Sequence, residues 1–253
     1  MKISVITACF NSKATIRDAI ESVLSQDHND VEYILVDGAS TDNTMAIVGE
    51  YRDRISQVIS EPDSGIYDAL NKGIRSATGD LVGFLHSDDL FAHSSVLSHI
   101  AAQASSNNGQ LGCDAVYGDL NYVSSGDTSR VVRRWTSRPF QRELLSRGWM
   151  PPHPTLYLKR EIYESLGGFD LDYRIAADYE SILRYFSQPG FSAEYLPETL
   201  ITMRLGGASN GTLSGILRKS REDYSALRKN RIPYPWLALA WKNLSKLPQF
   251  LKR

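Results

Sequence analysis

The chain is 253 residues long, 42% hydrophobic and 23% charged, with a formal net charge of −1 at neutral pH. That is an ordinary globular composition, enough for one large core, and its charge balance gives no global electrostatic reason to expect a nucleic-acid partner. Cys9 and Cys113 lack a CxxC or Cys/His setting and read as free thiols of a reducing compartment. The first residues run straight into a strand, and nowhere are there 18 consecutive apolar residues, so a cytoplasmic chain that does not span a membrane is expected.

Ile3–Thr7 is a short β-branched strand, and Ala8-Cys9-Phe10-Asn11-Ser12 is a loop whose Ser12 can cap the next helix. Ile16, Ala19, Ile20, Val23 and Leu24 recur on one helical face. Val31–Val36 is a second strand, ending at Asp37-Gly38-Ala39-Ser40-Thr41-Asp42-Asn43-Thr44. Ser40 or Thr41 can cap the helix that carries Met45, Ile47 and Val48. Asp37, at the strand tip, is placed either to accept hydrogen bonds from a ligand or to close a local Asx-turn.

Gln57–Ser60 is a weak third strand. Glu61 to Gly73 then suits a loop and helix at a polar site, or a solvated surface turn. The apolar run Leu81-Val82-Gly83-Phe84-Leu85 is an interior strand that stops at His86-Ser87-Asp88-Asp89. Two adjacent carboxylates there repel each other unless a cation arrives, and oxygen-only ligands suit Mg²⁺ or Mn²⁺. The competing reading makes Asp88 or Asp89 the N-cap of the helix through Val96, Leu97 and Ile100.

After a loop at Ser105–Gly109, strand signals at Ala115–Tyr117 and Val131–Trp135 flank a Ser/Gly/Asp turn and suggest a hairpin. The βα alternation therefore holds to about residue 102. Mixed elements follow, as in a nucleotide-binding half and an acceptor-binding half sharing one sheet. Pro151-Pro152-His153-Pro154-Thr155 precedes a strand at Leu156–Leu158, and the helix Arg160–Leu166 closes on Gly167-Gly168. Ala177-Asp178-Tyr179-Glu180 starts a helix whose face is Tyr179, Ile182, Leu183 and Phe186; an acid there also serves as an ordinary first-turn cap. Leu200–Arg204 and Gly206-Gly207 lead to a helical tail from about Leu213 to Asn230. Helical spacing resumes at Trp236, Leu237, Leu239, Ala240, Trp241 and Leu244, beside Lys242 and Lys246, and runs on to Leu247 before Pro248. That pattern fits a helix lying on an anionic membrane surface or one docked on the protein's own core.

Taken together these clusters resemble the family 2 inverting glycosyltransferases of the GT-A fold, of the bacterial surface-polysaccharide type. Thr7–Ser12 resembles that family's first strand and loop, and Val36–Thr44 its V-D-D-G-S-T-D-x-T stretch. Ser87-Asp88-Asp89 resembles the end of its D-x-D-D signature, Glu61–Gly73 the E-P-D-x-G-I-Y-D-A-x-N-K-G run of one subgroup, and Gly167–Asp170 with Ala177–Glu180 the acceptor loop and E-D motif. The sequence departs from the pattern at His86, at Ala177 in place of Glu, and at Gly38 in place of the second Asp.

The resemblance implies an α/β fold: a Rossmann-like mixed sheet flanked by helices, with a C-terminal helical tail. It implies a GT-A domain over 1–211, with a nucleotide-binding half (1–102) and an acceptor half (103–211), and a tail over 212–253. It places donor binding on Thr7, Ala8, Asn11, Asp37, Asn71, Lys72, His86, Ser87 and Asp88, the Mn²⁺ or Mg²⁺ ion on Asp89, and the catalytic base on Asp178. The implied partners are a nucleotide-sugar donor, expected to be a UDP-sugar, and a glycan or lipid-linked acceptor. Peripheral contact at the inner face of the cytoplasmic membrane is a further expectation. A divalent ion across a departing diphosphate and one carboxylate base suffice for a single inverting displacement. A dehydrogenase is excluded because no G-x-G-x-x-G follows the first strand. A sugar- or nucleotide-binding module with a degenerate site is the remaining alternative.

Overall fold

The computed structural model describes residues 1–105, 111–206 and 213–244. Most of the expected loop over Ser105–Gly109, Gly207 and the end of the tail lie outside the described residues. In chain order the first half comprises β1 (Ile3–Cys9), α1 (Ile16–Leu24), β2 (Val31–Asp37), α2 (Thr44–Gly49), β3 (Gln57–Ser60), α3 (Ile66–Ser76), β4 (Leu81–Phe84), β5 (Asp89–Phe91) and α4 (Val96–Ala104). The second half adds β6 (Ala115–Ser124), β7 (Asp127–Trp135), β8 (Tyr157–Lys159), α5 (Arg160–Leu166), α6 (Ala177–Phe186), β9 (Ala193–Arg204), α7 (Leu213–Lys229) and α8 (Pro235–Leu244).

Among the described residues the strands form a single sheet in the order β3-β2-β1-β4-β8-β6-β9-β5, with β7 hairpinned onto β6. β1 to β4 are parallel, with Ile6 opposite both Ile34 and Phe84. β8 then pairs antiparallel with both β4 and β6. The β-branched runs are buried on both faces, as strands covered by helices on each side require. Ile3, Val5, Tyr33 and Leu35 pack with α1, α2 and α4 on one side; Ile6, Ala8, Ile34 and Val36 pack with α3 and α6 on the other. Gly83 has its reason in this packing, since a side chain there would enter the ring of Tyr157 on β8.

Three local expectations are corrected. Ser12, Ser40 and Thr41 do not cap helices: α1 starts after Thr15 and α2 after Asn43, neither with a side-chain cap. The Ser40 hydroxyl donates to Asp37 instead. The residues after the Asp pair form a short strand rather than a helix start, because Asp89–Phe91 pair antiparallel with Ile201–Met203; this ends the N-cap reading of Asp88 and Asp89. Finally, β9 begins at Ala193, seven residues ahead of the expected strand, and runs parallel to β6 with register shifts around Asp119. Pro197 and the irregular register hide that strand from a period-2 reading.

The ends of β1, β2 and β4 are pinned by Glu32. Its carboxylate accepts from Lys2 Nζ at 2.8 Å, Ser4 Oγ at 2.6 Å and the Thr78 amide at 2.7 Å. Partial burial alone would push this carboxyl up, but the donors outweigh it and bring it from an ordinary 4.5 to about 2. A folded-state value below the unfolded one means stability that is present above about pH 4.5 and is lost as pH falls toward 2. Denaturant unfolding of Glu32→Gln is expected to cost about 1–3 kcal/mol at pH 7, with the difference from wild type shrinking as pH falls below 4.

Candidate active site

The parallel strands end along one edge of the sheet, and the polar loops gather there. The main chain leaves β4 at Phe84, turns through His86-Ser87-Asp88, with the Asp89 amide bonded to the His86 carbonyl, and re-enters the sheet as β5. Asp89 is 0% exposed, and neither of its carboxylate oxygens has a hydrogen-bond partner among the described residues. Burial first, and then the charge of Asp88, hold its carboxyl well above the usual range. Asp88 is half-buried, with its carboxyl also raised by burial, and its carbonyl accepts from Arg204 at 2.9 Å. A buried carboxylate with no partner for either oxygen among the described residues, beside a half-buried one, is costly in a dry setting and matches what a hard divalent cation binds, so the residues present fit Mg²⁺ or Mn²⁺.

Asp178 opens α6. Its carboxylate lies 3.3 Å from His153 Nδ1 and 3.3 Å from the Tyr67 hydroxyl, which itself donates to the Ile175 carbonyl at 2.8 Å. His153 sits on a 3-10 turn over His153–Thr155, and its Nε2 is 3.3 Å from Nε2 of His86. Burial holds the His153 imidazole below its ordinary value, and it brings His86 down to about 3. Burial would raise the Asp178 carboxyl, but the positive charges of Lys219 and Lys242, together with His153, leave it below the usual range. The consistent assignment is an ionised Asp178 accepting from His153 Nδ1–H, with His153 Nε2 accepting from His86 Nε2–H. His86 Nδ1 then lies buried with no hydrogen-bond partner among the described residues. One chain of side chains thus runs from the Asp88–Asp89 turn to Asp178. Tyr122 on β6 is within the field of both Asp89 and Asp178, whose charges add to the burial that raises its phenol.

Glu180, two positions beyond Asp178, faces elsewhere, as helical geometry demands. It is fully buried, bonded to Arg184 at 3.0 Å and Lys229 at 3.2 Å. The start of α6 is held from α7, where the Glu222 carboxylate accepts from the Ile175 and Ala176 amides at 2.8 and 3.0 Å. Asp170 pairs with Lys229. α8 closes the arrangement: Lys242, itself buried and drawn down by that burial to about 7, meets Asp223 at 2.9 Å and lies 3.0 Å from the centre of the Tyr179 ring.

Several expected donor contacts are spent on the protein's own backbone. The Asn71 amide bonds the Phe169 carbonyl at 2.8 Å and accepts from the Phe169 amide at 2.7 Å, tying α3 to the loop ahead of α6. Lys72 donates to the Pro62 carbonyl and pairs with Glu61. Asn11, at positive φ, accepts from the Thr41 amide at 2.9 Å and so links the loops after β1 and β2. Thr7 is sealed in the core beside the Tyr33 hydroxyl, and Ala8 is buried. Asp37 is 0% exposed, with Ser40 and Ser60 donating to it, so the local-turn alternative describes its bonding. Ser87 meets Ser12 at 3.0 Å. His86, Ser87, Asp88, Asp89 and Asp178 are therefore the expected residues that the structure brings to the cleft. His153 and Tyr67 join them unforeseen. The lone histidine between three prolines was the sequence signal for His153.

The sequence model described as Glycosyl transferase family 2 matches residues 4–167, more than half of the chain. A PGL/p-HBAD biosynthesis glycosyltransferase of Mycobacterium bovis is 29% identical over 212 residues, covering 82% of this chain and 78% of the relative. The structure of S. aureus TarS in complex with UDP-GlcNAc superposes over 99% of this chain and 79% of its own, with TM-score 0.71 and 18% identity. A mannosyltransferase from Pyrobaculum calidifontis in complex with GDP-Man and Mn²⁺ superposes over 98% of this chain and 70% of its own, with TM-score 0.66 and 21% identity. The chain belongs to glycosyl transferase family 2, and it is a glycosyltransferase built on the GT-A fold.

Proposed function

We propose that this glycosyltransferase moves a hexose, with inversion, from a UDP-sugar to a hydroxyl of a glycan or lipid-linked acceptor in surface polysaccharide biosynthesis. The observation that carries the reading is the pairing of an unpartnered buried carboxylate, Asp89, with an ionised, hydrogen-bonded Asp178 at the other end of the His86–His153 chain. The UDP-GlcNAc bound by the TarS structure and the PGL/p-HBAD biosynthesis role of the mycobacterial relative support the donor and the surface-glycan setting. The Mn²⁺ in the Pyrobaculum complex supports a divalent ion. Residues 1–211 act as the transferase domain in this reading, with 212–253 as an accessory tail.

In the mechanism Asp89, aided by Asp88, would hold Mn²⁺ or Mg²⁺, which would neutralise charge on the diphosphate leaving group. Asp178 accepts the proton of the attacking hydroxyl. His153 keeps Asp178 ionised and aimed: its Nδ1–H occupies one carboxylate oxygen and leaves the other, beside Tyr67, for the acceptor. Asn11, Asn71 and Lys72 act indirectly, by fixing the loops that frame the donor. In this reading no second carboxylate acts as a nucleophile, and one base with one displacement inverts the anomeric carbon.

No described helix is long and apolar enough to cross a membrane. The outer face of α8 exposes Trp236 (64%) and Trp241 (51%) with Leu237 and Leu244, while Ala238 and Lys242 bury the inner face. This two-faced helix supports peripheral attachment to a membrane surface through its apolar face, where a lipid-linked acceptor resides, while its described cation Lys242 serves the core.

Three outcomes test the reading. Asp178→Asn is expected to lower transfer by roughly 10² to 10⁴ with donor affinity unchanged, and His153→Asn to lower kcat by roughly 10- to 100-fold without raising the donor KM; near-normal turnover by Asp178→Asn removes it as the base. Asp89→Asn should abolish the Mn²⁺-dependent rise in Tm with UDP, yet melt no lower than wild type in metal-free buffer, because it removes an unpartnered buried charge. Trp236→Ser/Trp241→Ser should sediment less with anionic vesicles than wild type while keeping UDP affinity, and equal sedimentation rejects the attachment.

A further inference from the structure

On the sheet edge away from the donor site, three elements bring two imidazoles and one carboxylate together. His93 follows β5, His99 lies on α4 and Glu198 on β9, and their ligand atoms all fall within 4.8 Å of one another. His99 Nδ1 is 2.8 Å from Glu198 Oε2, and His93 Nε2 is 2.8 Å from Glu198 Oε1. His93 Nε2 is nevertheless sealed from solvent and not aligned for a hydrogen bond with that oxygen. On the other side of the ring, His93 Nδ1 is 3.0 Å from Ser95 Oγ. In the tautomer that donates from Nδ1 to Ser95 Oγ, the ring offers Nε2 as its metal-ligating nitrogen.

Backbone geometry aims the carboxylate. Between Tyr195 and Thr199 the register of β9 against β6 shifts, and Glu198 stands in that irregular stretch, where a bulge redirects a side chain. Two residues on, the Leu200 carbonyl accepts from the Ala92 amide, so Glu198 and His93 flank the last bond joining β9 to the end of β5.

We propose that His93, His99 and Glu198 form a zinc site that clips β5 and α4 to β9. Two imidazole nitrogens and one carboxylate oxygen are a borderline donor set that suits Zn²⁺ and disfavours Mg²⁺ or Ca²⁺. His99 is exposed and His93 and Glu198 are half-buried, which leaves the His99 side open for water as the fourth ligand. Tetrahedral bonds of about 2.0–2.1 Å separate ligand atoms by about 3.4 Å, a spacing inside the 4.8 Å over which the three ligand atoms are spread. The clip is separate from the donor ion: His93 lies four residues from Asp89, about 13 Å of extended chain. Its effect would be to steady the short strand that carries Asp89. The inference does not depend on the proposed sugar donor or on Asp178.

The test uses the full chain, stripped with a chelator and re-equilibrated with excess Mg²⁺ so that the Asp88–Asp89 end is already supplied. Calorimetric titration with zinc chloride is expected to show one ion per chain and a rise in Tm. His99→Asn and Glu198→Gln should each weaken zinc binding at least tenfold while melting, without zinc, within about 2 °C of wild type. Asp89→Asn should bind zinc as wild type does. Absence of zinc binding overturns the proposal and leaves a plain His–Glu–His hydrogen-bonded cluster. Zinc affinity unchanged in His99→Asn and Glu198→Gln, or lost in Asp89→Asn, also overturns it by placing the ion elsewhere.

Discussion

A carboxylate shut away from water, with no well-aligned hydrogen-bond partner for either oxygen among the described residues, is the constraint around which this molecule is arranged. Asp89 is placed there by pairing: β5 is only three residues long, and its bonds to β9 carry the side chain into the interior. Left uncompensated, such a charge costs several kcal/mol, and the raised carboxyl shows the strain of that position. In the proposed reading a cation offsets that cost, so the site is arranged for it at the expense of the metal-free fold. This is the usual balance at a functional site, where stability is given up locally and restored by the surrounding core.

The remainder of the cleft is held by contacts that cross between the two halves of the chain. Asn71 grips Phe169, Tyr67 reaches the Ile175 carbonyl, and His86 meets His153. The first two join α3 to the segment leading into α6, and the third joins the turn after β4 to the 3-10 turn ahead of β8. The position of Asp178 relative to Asp89 is thus set by a few buried polar links that either fit together or leave a partner unsatisfied. Asn71 and His86, both expected beside the donor, also make these links. A polar side chain near a ligand site has two uses, and the backbone amides and carbonyls of nearby loops compete for it.

The C-terminal helices extend the same logic. Lys242 is carried into the interior of the α6–α7–α8 packing, where Asp223 and the face of Tyr179 receive its charge. That charge also reaches Asp178 and helps keep its carboxyl ionised. α8 is consequently docked through one face and apolar on the other, so the two readings of its sequence describe its two sides.

The one-dimensional pattern determined what depends on neighbours in sequence. Period-2 and period-3.6 spacing located β1, β2, β4 and most helices, and the carboxylates at the ends of apolar runs marked the cleft edge, since strand direction and strand end are local properties. Resemblance of the motifs then pointed to the GT-A glycosyltransferases. Only the tertiary structure decided that Asp88–Asp89 enters a strand rather than caps a helix, because the partner strand lies over a hundred residues away at Ile201–Met203. It likewise decided that Asn71 and Lys72 serve the backbone, that Asp178 and not Glu180 faces His153, and that His93, His99 and Glu198 meet. Hydrogen-bond partners are assigned by competition in three dimensions, and spacing along a chain carries no record of which acceptor wins.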